Sequence, residues 1–154
     1  MRLKNSKLII NQLDNRMQSL HSLGDLQTPK EGWINLVRKT INMSLRQLGK
    51  RLSLTPQGVK KIETNEANGG ITLNTLRLVG EALNLKLVYG FIPKDGSLEK
   101  MIEKKANELA KKIVMRTSTS MKLEDQENSK QRITEAITEL TETLKREMSK
   151  SLWD

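Results

Sequence analysis

Two helix-start signals lie close together in residues 44–67, which read SLRQLGKRLSLTPQGVKKIETNEA. In the first, Ser44 stands three residues before Gln47, the spacing of a capping box, in which each side chain bonds the other residue's backbone N–H. In the second, Thr55 precedes Pro56, a residue favoured at the first position of a helix. The sequence therefore predicts two short helices that are joined by a short turn.

The apolar positions predict that these two helices pack against each other. The inner faces carry Leu45, Leu48 and Leu52 in the first helix, and Val59 and Ile62 in the second. Gly49 is small, as a close crossing of two helices requires. A short helix, a tight turn and a second short helix form the helix-turn-helix arrangement.

The same spacing places Gln57, Lys60 and Lys61 on the outer face of the second helix. Side chains of these types read base edges or bind phosphates in the major groove of DNA, although an ordinary solvated helix face is the alternative. Hydroxyl groups at helix N-termini suit phosphate oxygens. A surface role and a phosphate contact remain equally open for Arg46. The candidate DNA-binding residues are Ser44, Arg46, Thr55, Gln57, Gly58, Lys60 and Lys61.

Positive charge supports this interpretation. The chain has 154 residues with 27 Lys and Arg against 18 Asp and Glu, a net charge of +9. Residues 33–65 hold seven basic residues and one acidic residue, whereas residues 117–154 hold more acidic than basic residues. A basic domain of this size binds nucleic acid more often than not, and we expect double-stranded DNA as the partner.

The composition excludes several classes of protein. The chain has no Cys and one His, His21, so disulfides, thiolate sites and multi-His metal sites lack their residues, and we expect no metal, no cofactor and no enzyme activity. No run of about 18 apolar residues predicts a membrane span. Residues 1–10 lack the features of a signal peptide, which favours a cytoplasmic protein that does not bind membranes. The few aromatic residues do not suit RNA or single-strand binding.

Helical patterns continue on the N-terminal side. Residues 5–22 have apolar residues at helical spacing. Residues 28–31, with Thr as N-cap and Pro in the first turn, predict a helix that extends to about Asn42 and buries Trp33 in the core. Thr72 is expected to cap a fourth helix of the central domain.

Residues 86–92 are rich in β-branched and aromatic residues and precede Pro93, which predicts one short strand. A lone strand leaves its edges unpaired. This strand is expected either to pack on its own domain or to pair with the same strand of a second chain. The second alternative predicts a homodimer through Leu87, Val88, Tyr89 and Phe91.

The C-terminal part predicts two amphipathic helices, one beginning at Ser97 and one at about Ser129, with a polar loop over residues 116–129 between them. Their apolar stripes are expected to pack either on the N-terminal helix or on a partner. The predicted domains are a helix over residues 1–27, a DNA-binding domain over 28–93 and a helical arm over 94–154.

Residues 33–83 resemble the XRE family of bacterial helix-turn-helix regulators, the class of the phage repressors. The resemblance implies that Gln57 contacts bases and that Arg38 and Glu63 form an internal ion pair between the first and third helices of the domain. Two positions depart from the family pattern. Ser53 stands where the family usually has Gly, and Gly58 lies inside the recognition helix, where Gly is unfavourable by roughly 1 kcal/mol unless the backbone approaches DNA closely.

A second resemblance covers most of the chain. The motifs at residues 32–34, 43–48, 70–77 and 152–154 resemble the family called mobile mystery protein A. That resemblance implies a DNA-binding protein of a mobile element, encoded beside a Fic-domain partner, as in toxin–antitoxin pairs. The expected fold is mainly α, an XRE-like helix-turn-helix bundle with one short β-strand and additional N- and C-terminal helices. The expected function is autorepression, and the alternative is an antitoxin-like module that binds a toxin through its C-terminal helices.

Overall fold

A computed structural model describes residues 2–123 and 130–154 of the chain. The described residues are mainly α-helical, as the sequence predicts. The helices are α1 (Arg2–Gln18), α2 (Trp33–Thr40), α3 (Leu45–Leu52), α4 (Pro56–Ala67), α5 (Leu73–Ala82), α6 (Leu98–Leu123) and α7 (Lys130–Glu147), with single 3-10 turns at His21–Leu23 and Lys150–Trp153. They form two compact units, Asp25–Tyr89 and the combination of Met1–Gly24 with Gly90–Asp154. None of the helices in the described ranges combines the length and hydropathy that a membrane span needs.

The unit Asp25–Tyr89 contains α2 to α5 around one apolar core. The predicted caps of α3, α4 and α5 are confirmed. Ser44 Oγ accepts a hydrogen bond from Gln47 N at 3.1 Å while Gln47 Oε1 accepts one from Ser44 N at 2.8 Å. Thr55 and Thr72 cap α4 and α5 through their side-chain oxygens. The fully buried or nearly buried core residues are Ile34, Leu48, Val59, Val79 and Leu83.

The turn between α3 and α4 has a tight backbone. Ser53 adopts the left-handed conformation with φ 56° and ψ 41°. The N–H of Leu54 then donates to the carbonyl of Gly49 at 2.8 Å. A Cβ atom on Gly49 would lie 2.6 Å from the carbonyl oxygen of Leu54, so the turn requires glycine there. The close approach that Gly49 permits is therefore between α3 and the backbone of the turn.

We expect Ser53→Gly to raise the free energy of unfolding of this unit by about 0.5–1 kcal/mol. Glycine removes the steric cost of the left-handed conformation, roughly 1–2 kcal/mol, but its unfolded chain is more flexible. Urea denaturation measures the change. Lys50→Gly, at an exposed position inside α3, is the control and should lower stability by about 1 kcal/mol. A loss of stability in Ser53→Gly would contradict the expectation.

The predicted start of α2 is wrong. The helix begins at Trp33 instead of after Thr28, and Gly32 precedes it with φ 85° and ψ 159°. The carboxylate of Glu66 on α4 accepts hydrogen bonds from the N–H groups of Trp33 at 2.8 Å and Ile34 at 2.9 Å. A side chain distant in sequence therefore supplies the cap. Trp33 is 41% exposed, so its expected burial in the core is also wrong.

The predicted strand at residues 86–92 is not formed. The segment from Leu85 to Pro93 has no regular secondary structure, and residues 2–123 and 130–154 contain no second strand that could pair with it. Leu87 is half-buried, whereas Val88 and Tyr89 are exposed. The segment therefore has apolar side chains at the surface, and it does not form the strand that its composition predicts.

The second unit is built from α1, α6 and α7. Its buried residues are Ile102, Ala106, Ala110, Leu144 and Leu152, and Ile10 of α1 packs against them. Asp14 of α1 accepts hydrogen bonds from the N–H groups of Leu98 at 2.7 Å and Glu99 at 3.2 Å, at the start of α6. The C-terminal helices therefore pack on the N-terminal helix, the first of the two alternatives.

The predicted loop over residues 116–129 is wrong where the structure describes it, because α6 continues to Leu123. The hydroxyl groups of Thr117, Thr119 and Ser120 donate to carbonyls four residues earlier in the helix. These hydroxyl groups thus have hydrogen-bond partners within α6, although a sequence rich in such residues is typical of loops. Residues 124–129 lie outside the described residues.

Candidate nucleic-acid interface

A buried ion pair fixes α4 against α2. Arg38 is 7% exposed and Glu63 is 2% exposed. The Nε atom of Arg38 donates to Oε1 of Glu63, and Nη2 reaches Oε2 at 3.3 Å. Asn35 Nδ2 donates to the same Oε2 at 2.7 Å, and Arg38 Nη1 donates to the carbonyl of Met43 at 2.9 Å. Both charged groups are therefore hydrogen-bonded on several sides, and the rotation of α4 about its axis is defined.

The pKa of Glu63 is lowered below the ordinary glutamate value. Burial by itself raises this pKa because it disfavours the charged form. The hydrogen bonds from Arg38 and Asn35, with the positive charges of Arg38 and Lys60, together outweigh that effect. Glu63 is therefore a carboxylate at neutral pH, and the ion pair is fully charged.

With this inner face fixed, α4 presents Gln57, Lys60 and Lys61 to solvent. Val59 and Glu63, on the opposite side of the helix, are buried. We call the exposed set Gln57, Lys60 and Lys61 the α4 outer face. The outer face carries two positive charges and one amide, and all three side chains are free to contact a large polar surface.

The two hydroxyl candidates lie at helix N-termini. Ser44 Oγ and Thr55 Oγ1 each accept a backbone hydrogen bond, in the latter case from Gly58 N at 3.0 Å. Each hydroxyl keeps its hydrogen for donation to an anion. A Cβ on Gly58 would lie 3.4 Å from Thr55 Oγ1, an ordinary contact. Packing within the chain therefore gives no reason for glycine at this position.

The basic residues of α3 divide into two groups. Arg46 and Lys50 are exposed, so their side chains are accessible to a phosphate backbone. Arg51 is engaged within the unit, because its Nη1 donates to the carbonyl of Ala82 at 2.8 Å, at the end of α5. Arg51 is thus a structural residue that links α3 to α5.

The candidate dimerisation residues lie on the segment that follows α5. The guanidinium of Arg77 stands over the ring of Tyr89, 5.6 Å from its centroid, and Nη2 donates to the phenolic oxygen at 3.4 Å. Val88 is 61% exposed, and Phe91 is 81% exposed. Apolar surface and unpaired backbone therefore occur together on one short segment.

Sequence reasoning missed Glu66, which caps α2 and packs against Gly32. A Cβ on Gly32 would lie 2.7 Å from Glu66 Oε2, so a larger residue at position 32 would shift the Glu66 carboxylate. The sequence signal was weak, since it consists only of a glycine directly before Trp33 where a capping hydroxyl is usual. In the described part of the chain, no group of three His, Asp or Glu residues forms a possible metal site.

No family model, curated protein or solved structure matched this chain.

Proposed function

We propose that this chain is a sequence-specific regulator that binds double-stranded DNA with α3 and α4 as an XRE-type helix-turn-helix. The observation that carries the proposal is the α4 outer face, with Gln57, Lys60 and Lys61 exposed on a helix whose inner face is anchored by a buried ion pair. An amide can bond bidentately to adenine, and lysines bind guanine or phosphate. α4 would lie in the major groove.

Phosphate contacts would set the position of α4 on the duplex. The hydroxyls of Ser44 and Thr55 and the exposed Arg46 lie on the same helix pair as the outer face. Contacts to phosphates fix the position of a protein along the duplex, but they do not by themselves read the base sequence. Gly58 would allow the backbone to approach the DNA closely, which agrees with the lack of an internal packing reason for glycine.

A homodimer would let the chain read two half-sites, as helix-turn-helix proteins usually do. The segment with Leu87, Val88, Tyr89 and Phe91 has unpaired backbone and exposed apolar side chains. Pairing of this segment across a two-fold axis would give each copy the strand partner that it lacks within one chain.

The resemblance to mobile mystery protein A supports autorepression of a mobile-element operon with a Fic-type partner. The dimer would cover the promoter and block polymerase. The second candidate function is an antitoxin-like module that holds a toxin through its C-terminal helices. Ile113 and Met115 on α6, which are exposed apolar residues, favour that candidate.

The test is binding to the duplex upstream of the gene that encodes this chain, against a shuffled duplex, over a range of salt concentrations. We expect Gln57→Ala to lose about 1–3 kcal/mol of discrimination between the two duplexes. Lys61→Gln should weaken binding to both and reduce the salt slope by about 0.9 for each phosphate that the side chain no longer neutralises.

Lys112→Gln is the matched control, because it removes the same charge from an exposed position on α6. Equal losses of DNA affinity in Lys61→Gln and Lys112→Gln would show that only the net charge of the chain contributes to binding. An absence of binding to both duplexes and to a random-sequence duplex pool would reject the DNA-binding proposal and favour the protein-partner alternative.

A further inference from the structure

A cavity of about 360 Å³ opens between α2 and α5 in the unit Asp25–Tyr89. Its walls are mainly apolar, with Trp33 and Val37 on α2, Leu76 on α5, and Leu83 and Leu85 on the segment that follows α5. An apolar cavity of roughly 150 Å³ holds a benzene molecule, so this one has space for a longer chain or a substituted ring. Its size and lining are those of small-molecule sites.

Two charged side chains line the same cavity, and they differ in what they already bind. Both carboxylate oxygens of Glu66 already accept hydrogen bonds from the start of α2, so Glu66 is engaged within the unit. Lys86 is exposed and has no ion-pair partner among the described residues. Of the two charged side chains, Lys86 is therefore the one that is left to bind a ligand.

We propose that this cavity binds a small amphipathic carboxylate, with the apolar chain between α2 and α5 and the carboxylate on the ammonium group of Lys86. The apolar walls exclude water from the chain of the ligand, and that burial supplies most of the affinity. The lysine orients the ligand and selects an anionic head group. The proposal does not depend on DNA binding.

The test uses octanoate as the probe and the full chain with Trp153→Phe, so that all tryptophan emission comes from Trp33 at the cavity. Trp153 is 52% exposed, and phenylalanine is therefore tolerated there. We expect a saturable change in the emission of Trp33 with octanoate. Octylamine, which has the same chain length and the opposite charge, should bind at least about tenfold more weakly.

Lys86→Gln should weaken octanoate binding by about tenfold, because it removes the charge-assisted hydrogen bond to the carboxylate. Lys39→Gln, which removes an exposed lysine that does not line the cavity, is the matched control and should leave the affinity unchanged. Both variants alter exposed side chains and keep the core intact.

Three results would overturn the proposal. The first is no saturable change in emission with octanoate. The second is equal binding of octanoate and octylamine, or equal affinity in Lys86→Gln and the parent chain. The third is loss of the octanoate response on raising the protein concentration, since a second copy would then fill the cavity.

Discussion

Glu63→Ala is expected to lower the free energy of unfolding of the unit Asp25–Tyr89 by about 3–5 kcal/mol. The substitution leaves the guanidinium of Arg38 buried without its counter-charge, and removing one partner of a buried pair has this order of cost. Asn35 would lose its acceptor on Glu63 as well. Urea denaturation followed by Trp33 emission, in the Trp153→Phe background, reports this unit directly.

The control for the first prediction is Glu81→Ala, which truncates an exposed glutamate on α5. In Glu81→Ala the free energy of unfolding should change by no more than about 0.5 kcal/mol. The double substitution Arg38→Met with Glu63→Leu should recover most of the lost stability, because it removes both buried charges at once. Equal effects of Glu63→Ala and Glu81→Ala would show that the buried pair contributes nothing to stability.

The stability difference between the parent chain and Glu63→Ala should depend on pH. The pKa of Glu63 is lowered by folding, so near that pKa the unfolded chain binds the proton more tightly than the folded chain. The contribution is complete above the ordinary glutamate pKa of about 4.3 and is lost as the pH falls through the lower folded-state pKa. The difference in the free energy of unfolding between the two proteins should therefore shrink as the pH falls below about 4.3.

Gly32→Ala is expected to lower the free energy of unfolding by about 2–4 kcal/mol. Its backbone conformation, φ 85° and ψ 159°, lies in a region that is essentially restricted to glycine, at a cost of roughly 1–3 kcal/mol for other residues. The new Cβ would also displace the carboxylate of Glu66, which removes the cap of α2 and costs about 1 kcal/mol more.

Gly69→Ala separates these two effects. Gly69 also has a positive φ, 76°, but a Cβ there would meet no atom within 4 Å. Its replacement should therefore cost backbone strain without a displaced side chain. The displaced cap is measured by the part of the loss in Gly32→Ala that disappears when Glu66 is already replaced by Gln. If Glu66→Gln and Gly32→Ala lose stability additively when combined, the two residues are independent and the capping interpretation is wrong.

The parts of the fold that sequence predicted correctly depend on short-range chemistry. Ser44, Thr55 and Thr72 each cap a helix through an N–H three residues later, and that spacing is visible in the sequence. The inner faces of α3 and α4 follow from helical periodicity, and Leu48 and Val59 are buried as predicted. The exposure of the α4 outer face follows from the same periodicity.

The errors arose where a distant residue or a missing partner decides the structure. The start of α2 depends on Glu66, which is separated from Trp33 by 33 positions and leaves no local signal. The segment 86–92 has the composition of a strand, but composition does not supply a pairing edge. In α6, hydroxyl groups that bond back to the helix allow a polar sequence to remain helical.

The caps on α6 have a consequence for synthesis at the ribosome. Asp14 bonds the N–H of Leu98, which is 84 positions later, and the complete unit Asp25–Tyr89 lies between them in the chain. Domains generally fold as units while the chain emerges. The unit Asp25–Tyr89 can therefore complete its core before α6 emerges to pack against α1. Helix α1, which leaves the ribosome before the unit Asp25–Tyr89, is thus later than that unit in reaching its final packing.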